Sequence, residues 1–422
     1  MKYQNTLEFA EKMDTQDPLK KYRDDFYFPK HSNGKEAVYL CGNSLGLQPK
    51  SAKTYIEAVL DDWRELGVKG HFEGENPFTT YHETLGQQMA RIVGAKKEEV
   101  VVMNSLTVNL HLMMVSFYKP TKERFKILIE KNAFPSDQYA VKSQLDFHGF
   151  DIDKGLLELE PRPGEDLMRT EDILQFIEEN GSEIALIMIG GLNYYTGQAF
   201  DMKKITKAGH AKGCTVGFDL AHGAGNLSLS LHDWGVDFAV WCTYKYINSG
   251  PGGIAGCFVH ERHINRNDLP RFAGWWGHDK ATRFLMDETF VPIQSAEGWQ
   301  LSNETVLSMA ALKASLEIFE EVGMTDIVKK SRMLTGYLEF MIEQLKSDRI
   351  EIITPIKADE RGAQLSIRVL QSDKSLFKAI SDKGVIADWR EPDVIRIAPA
   401  PLYNNYQDVF KFVKILKEAV GL

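Results

Sequence analysis

Cysteine is scarce in this 422-residue chain, at four positions: Cys41, Cys214, Cys242 and Cys257. None forms a CxxC pair, and the chain reads as carrying reduced, structural thiols in a reducing compartment rather than a disulfide framework. Long apolar runs are also missing. None approaches the length of a membrane span, and the opening MKYQNTLEFAEKMDTQDPLKKYRDDF is too charged for a secretory signal. A soluble, cytoplasmic protein is expected. Positive charge is in deficit: 50 Lys and Arg face 59 Asp and Glu, a net charge of −9. That argues against a polyanion partner such as DNA and leaves room for a local basic pocket for a small anion. Internal repeats and low-complexity segments are absent. The remaining composition, 43% hydrophobic and 26% charged, is ordinary for a globular chain long enough for two domains.

The most informative stretch is residues 213–256, GCTVGFDLAHGAGNLSLSLHDWGVDFAVWCTYKYINSGPGGIAG. A short apolar run, 215–218, ends in Asp219, with His222 close behind. A second run, 236–241, leads into Thr243, Tyr244 and Lys245, and glycines follow at 250, 252, 253 and 256. Such runs read as buried strands of an α/β sheet. Polar residues at the carboxyl ends of those strands face the ligand crevice. A carboxylate and a lysine then reach one pocket from two strands, which suits a pyridine aldehyde cofactor. The lysine amine forms a Schiff base with the aldehyde, and the carboxylate keeps the ring nitrogen protonated. Either residue alone reads as a solvated lysine or a turn-capping acid. Together, with aromatics beside the lysine and glycines after it, they favour the cofactor.

Residues 1–35 read as an N-terminal arm with a short helical pattern at 7–13. Residues 37–41 suggest a strand, Gly42, Asn43 and Ser44 a turn, and 49–63 a helix. His71 lies in the glycine-flanked loop GHFEG. A strand at 98–103 turns through Asn104, Ser105, Leu106 and Thr107 into a helix at 108–118. The small hydroxyl residues there suit either capping or an anion site. Strand 125–130 precedes AFPSDQY, read as a loop in which Phe134 either packs in the core or stacks on a flat ring. Strand 184–189 runs into GGLNYYTGQ, where Gly190 or Gly191 allows close backbone approach. A long helix at 306–322 leads to a small α/β segment with strands at 350–354 and 364–370 and helices at 375–383 and 406–420. Arg396 alternates with Ile395 and Ile397 and is expected to face away from the core. The domain division expected is an arm and helix over 1–70, a large domain over 71–305 and a small C-terminal α/β domain over 306–422. His260-x-x-His263 lacks nearby acid or thiolate ligands in a suitable pattern, so no metal site is expected.

FDLAHGAGN, LHDWGVDFAVWCTYKYINSGPGGIAG and GWWGHD resemble kynureninase, a pyridoxal 5'-phosphate hydrolase of the aminotransferase type I fold, from Leu40 to Tyr403. The resemblance implies a large domain with a mostly parallel sheet and a smaller C-terminal α/β domain. It implies that Leu106 and Thr107 cradle the cofactor phosphate and that Phe134 covers one ring face. Pro135, Ser136, Asp137, Gly190 and His222 complete the surroundings, Asp219 holds the ring nitrogen, and Tyr244 and Lys245 carry out proton transfers. Trp275 and Asn303 are implied to reach the site from the neighbouring subunit of a homodimer with shared sites. Substrate contacts fall to His71, Ser302, Asn303 and the Arg396 of an R-x-A-P motif, which anchors the carboxylate. The implied reaction converts L-kynurenine or 3-hydroxy-L-kynurenine to L-alanine and the matching anthranilate, in tryptophan breakdown or nicotinamide cofactor synthesis. His71, Ser302 and Asn303 favour the 3-hydroxy substrate. The rivals are an aminotransferase or a cysteine desulfurase on the same fold, or a non-catalytic binding protein. A desulfurase needs a mobile cysteine, and none of the four is so placed. An intact set of Lys245, Asp219, Tyr244 and Arg396 argues against a non-catalytic relic.

Overall fold

The computed structural model describes residues 2–266 and 268–422. In chain order its strands are β1 (Val38–Tyr39), β2 (Val100–Val102), β3 (Lys126–Glu130), β4 (Leu156–Leu159), β5 (Ile184–Gly190), β6 (Thr215–Asp219), β7 (Phe238–Trp241), β8 (Gly256–Val259), β9 (Ile350–Ile352), β10 (Leu365–Val369), β11 (Val385–Ile386), β12 (Asp388–Arg390) and β13 (Val394–Ile397). Seven of them form the large sheet, in the order β2-β8-β7-β6-β5-β3-β4. The pairs from β7 to β4 are parallel, and β8 runs antiparallel to both of its neighbours.

The apolar runs explain the sheet. IALIMI of β5 and FAVW of β7 are buried throughout, as befits strands covered by helices on both faces. Helices Pro135–Phe147, Thr170–Asn180 and Met202–Ala211 supply the crossovers. The last is started by Asp201, whose side chain accepts the Lys204 amide at 3.0 Å.

A second sheet, β12-β13-β10-β9, is antiparallel. Helices Met324–Glu343 and Tyr406–Ala419 share its apolar core. Part of the N-terminal arm joins that core: Ala10, Met13, Val38 and Leu40 pack there, β1 pairs with β11, and Asp14 accepts the Tyr406 amide at 2.7 Å, while Leu19, Tyr22 and Phe26 pack in the core of the large sheet. Helix Val306–Val322 instead buries Met309, Leu312, Leu316 and Phe319 in the core of the large sheet. Among the described residues no helix is long and apolar enough to cross a membrane.

Three expectations are corrected. The AFPSDQY loop is largely helix, because Pro135 opens helix Pro135–Phe147. A further long helix, Met324–Glu343, follows the expected one after Gly323 alone. Arg396 does not face away from the core. All four residues of β13 are buried, and Arg396 is 1% exposed.

Candidate active site

Parallel pairing puts the carboxyl ends of β3, β5, β6 and β7 at one edge. Gly190 is in register with Asp219, and Asp219 with Val240. Glu130 ends β3, Asp219 ends β6, and the turn after β7 delivers Cys242, Tyr244 and Lys245. These side chains meet in one pocket with Leu106, Thr107, Phe134, Ser136, Asp137, Gly190 and His222.

One end of the pocket is built for an anion. Helices Leu106–Phe117 and Pro135–Phe147 both begin there. Neither N-cap residue, Ser105 or Phe134, makes a side-chain capping bond. Thr107 is not a cap, since it lies inside the first turn, and its hydroxyl is 2.8 Å from that of Ser136. Uncapped N–H groups, two helix dipoles and two hydroxyls at one place are a combination that favours an anion. Pro135 has no N–H and stands at the helix start, where none is needed.

The other end is acidic. The Asp219 carboxylate accepts the Ala221 amide at 2.6 Å, and Glu130 accepts the Gly190 amide at 2.9 Å. A Cβ on Gly190 would lie 2.8 Å from Glu130 Oε1, so glycine is required for this approach. Burial raises the pKa of Asp219 above the ordinary carboxylate range. Burial, Asp219 and Glu130 together push Asp137 well above it. Burial lifts Glu130 to about 7. His222 Nε2 lies 3.0 Å from Lys245 Nζ. Burial first, then Lys245, drives the His222 pKa well below its ordinary value, so the ring is neutral and Nε2 can accept from the lysine nitrogen. Lys245 Nζ is 5.8 Å from the centre of the Phe134 ring.

Two buried polar atoms here, Asp137 Oδ1 and His222 Nδ1, have no partner among the described residues. Buried polar atoms are rarely left unpaired, and a planar ring with a protonated nitrogen, carrying an aldehyde and a phosphate, fits this donor and acceptor set.

Six predicted residues do not line this pocket, one of them Pro135, which opens the helix beside it. Arg396 stands behind Tyr194: Nη1 donates to the Tyr194 carbonyl at 2.7 Å, and the guanidinium is 5.9 Å from the centre of that ring. Trp275 is half exposed and donates through Nε1 to the Arg283 carbonyl at 3.1 Å. Ser302 and Asn303 are exposed. His71 sits edge-on to Phe78 in a separate apolar groove of about 550 Å³, lined also by Val59, Trp63, Val68, Val306 and Leu307.

Sequence reasoning missed Glu130, Tyr194 and Cys242 as pocket-lining residues. The rule that found Asp219, an acid at the carboxyl end of an apolar run, applies equally to Glu130. The two histidines of His260-x-x-His263 do have acids nearby in space. His263 Nε2 is 2.7 Å from Asp237 Oδ1, and His260 lies beside Glu99 and His232. Glu99 is already committed, accepting the Lys96 and Glu261 amides and facing His232 Nδ1 at 2.9 Å.

The two-domain architecture and the lysine–carboxylate pocket below a helix-start cradle define an enzyme of the pyridoxal-phosphate fold type I class. Solved structures agree on the fold. The apo cysteine desulfurase of Thermococcus onnurineus NA1 superposes with a TM-score of 0.75 at 17% identity, covering 95% of this chain and 98% of that one. A C-DES mutant with glycine covalently linked to its PLP cofactor gives 0.76 at 15%, covering 90% and 96%. Within that class the sequence relatives are specific. Residues 327–416 match the family described as kynureninase C-terminal domain. The kynureninase of Myxococcus xanthus is 59% identical over 415 residues, 98% of this chain and 97% of that one. The kynureninase of Mus musculus is 49% identical over 426 residues, 96% and 92%. The chain belongs to the kynureninase family.

Proposed function

We propose that this enzyme hydrolyses the bond between the β and γ carbons of L-kynurenine and 3-hydroxy-L-kynurenine, releasing L-alanine and the matching anthranilate. The observation that carries this is the convergence of Lys245, His222, Asp219 and Asp137 in one pocket beneath two uncapped helix starts. Pyridoxal phosphate, when bound, supplies an aldehyde carbon for an amine and a ring that takes up an electron pair.

The chain's own residues do the rest. Leu106, Thr107 and Ser136 hold the phosphate, with the Pro135 turn fixing Ser136. Phe134 covers a ring face. Asp219, supported by Asp137, keeps a proton on the ring nitrogen. Neutral His222 accepts a hydrogen bond from Lys245 and orients its amine. Lys245 removes the proton from the substrate α-carbon, and Tyr244 returns one to the alanine fragment. Burial raises the Tyr244 pKa, so its hydroxyl is in the donor form at neutral pH. Arg396 binds the substrate carboxylate, with Nε as its open donor.

Trp275 and Asn303 act in the pocket of a second copy. The support is that Trp275 stands on an exposed apolar surface and Asn303 is itself exposed. His71, Ser302 and Asn303 receive the aromatic ring and favour the 3-hydroxy substrate. Four buried, unpaired cysteines are consistent with a reducing, cytoplasmic setting.

The test is anthranilate release by the holoenzyme given each substrate in parallel, beside Lys245→Ala. Wild type releases product, faster from 3-hydroxykynurenine. The variant loses activity by at least about 10³-fold and loses the visible absorption of a lysine-linked cofactor. Cofactor binding without either product from wild type would sink the reading.

A further inference from the structure

The surroundings of Arg396 are short of negative charge. Its Nη1 is held by the Tyr194 carbonyl, its Nη2 pairs with Asp388 Oδ2, and its Nε is buried with no acceptor among the described residues. The same Asp388 oxygen also faces Arg390 Nη2 at 3.1 Å. Arg390 Nε is likewise buried without an acceptor. Strand geometry explains the grouping. Asp388 is the cross-strand partner of Arg396, and Arg390, two residues on, shares its face.

Two guanidinium groups therefore share one carboxylate, leaving a net charge of about +1. Asp388 is the acid whose charge acts most on Arg396, and the titratable groups that otherwise feel it are Arg390, the Tyr246 hydroxyl, the Cys41 thiol and neutral His222. Burial pushes Tyr246 up and the Cys41 thiol up to about 12, so both are neutral. Both guanidinium groups lie against the Tyr194 ring, Arg390 at 5.8 Å and Arg396 at 5.9 Å from its centre. Phe134 also meets that ring, edge-on at 5.4 Å, at the pocket.

We propose that Arg390 is a second specificity-determining residue for the substrate carboxylate, joined to Arg396 by the bridging Asp388. Asp388 ties the pair together without neutralising it, and one incoming monoanion completes the charge balance and the open Nε positions. This rests on the reading of Arg396 as the carboxylate anchor.

The experiment titrates holoenzyme with L-alanine and with L-alaninamide, following the absorbance of the bound cofactor. The two ligands differ only in the carboxylate, so the ratio of their affinities isolates its recognition. Arg390→Gln is expected to cut that ratio by about tenfold, the scale of one charge-assisted hydrogen bond, with alaninamide affinity unchanged. A merely structural role would weaken both ligands alike and leave the ratio as in wild type, which overturns the proposal. Arg390→Lys keeps the charge and is expected to keep most of the ratio. A fall as deep as that in Arg390→Gln also overturns it. Arg396→Gln is the control. If it abolishes the ratio while Arg390→Gln does not alter it, Arg390 is dismissed and Arg396 stands. If neither alters it, the anchor reading itself is wrong.

Discussion

Three carboxyl groups, Glu130, Asp137 and Asp219, crowd the end of a pocket whose one ammonium is Lys245. Glu130 has no cation to compensate it, and only the Gly190 amide and its own amide favour its charged form. Its native pKa near 7 stands above the ordinary 4.5. The folded state therefore binds more protons than the unfolded one between these values. Stability falls as pH rises from about 4.5, and the loss is complete above about 7. Gln in its place keeps an acceptor for the Gly190 amide and has no charge to bury. Cofactor-free Glu130→Gln and wild type should unfold at nearly equal denaturant concentration at pH 5. At pH 8 the variant should be more stable by about 1–3 kcal/mol. Equal stability at both pH values would mean that Glu130 ionises without cost. Asp219 and Lys245 were legible because each closes an apolar run. Glu130 closes one too and carries the same signal. The burial of Arg396 was not legible, because alternation along a strand assumes one wet face, and β13 has none.

Strand β6 carries Asp219 to its place and has little tolerance of its own. Gly217 pairs with Phe238 of β7, and a Cβ there would lie 2.2 Å from the Phe238 ring. Gly217→Ala should destabilise the fold by about 1–3 kcal/mol through overpacking. It should also weaken cofactor affinity, since the strain is relieved by moving β6 and Asp219 with it. Thermal melts and cofactor titration measure the two effects, and an unchanged cofactor affinity would show that the strand ends are held independently. Elements with strong periodicity were read closely, helix Val306–Val322 at both ends. Its successor was lost because the break is a single residue, Gly323 at φ +77°, too short a punctuation to separate two helices by pattern. The Pro135 helix was lost for the opposite reason. Proline reads as a loop, while at the first helical position it costs nothing.

At the scale of the whole molecule the unexplained feature is a wet apolar surface. Val68 is 78%, Leu285 75% and Met286 73% exposed. Phe72 and Trp275 both pack on the half-exposed Phe284, at 5.6 and 5.5 Å between ring centres. Monomers rarely leave a patch of this kind uncovered, and the groove holding His71 continues it through Phe72. A second copy related by a two-fold axis would cover it and carry Asn303 to the neighbouring pocket. Complementation tests this without relying on a destabilised interface. Asn303 is exposed, so Asn303→Ala should fold normally. Alone, it and Lys245→Ala should each be inactive or nearly so. In a mixed dimer one site receives both defects, and the other receives an intact Lys245 from one subunit and an intact Asn303 from the other. Unfolding and refolding an equimolar mixture should therefore restore about a quarter of wild-type activity, since about half of the dimers are mixed and each has one good site. If both residues serve the same subunit's pocket, every site in the mixture keeps a defect and activity does not return.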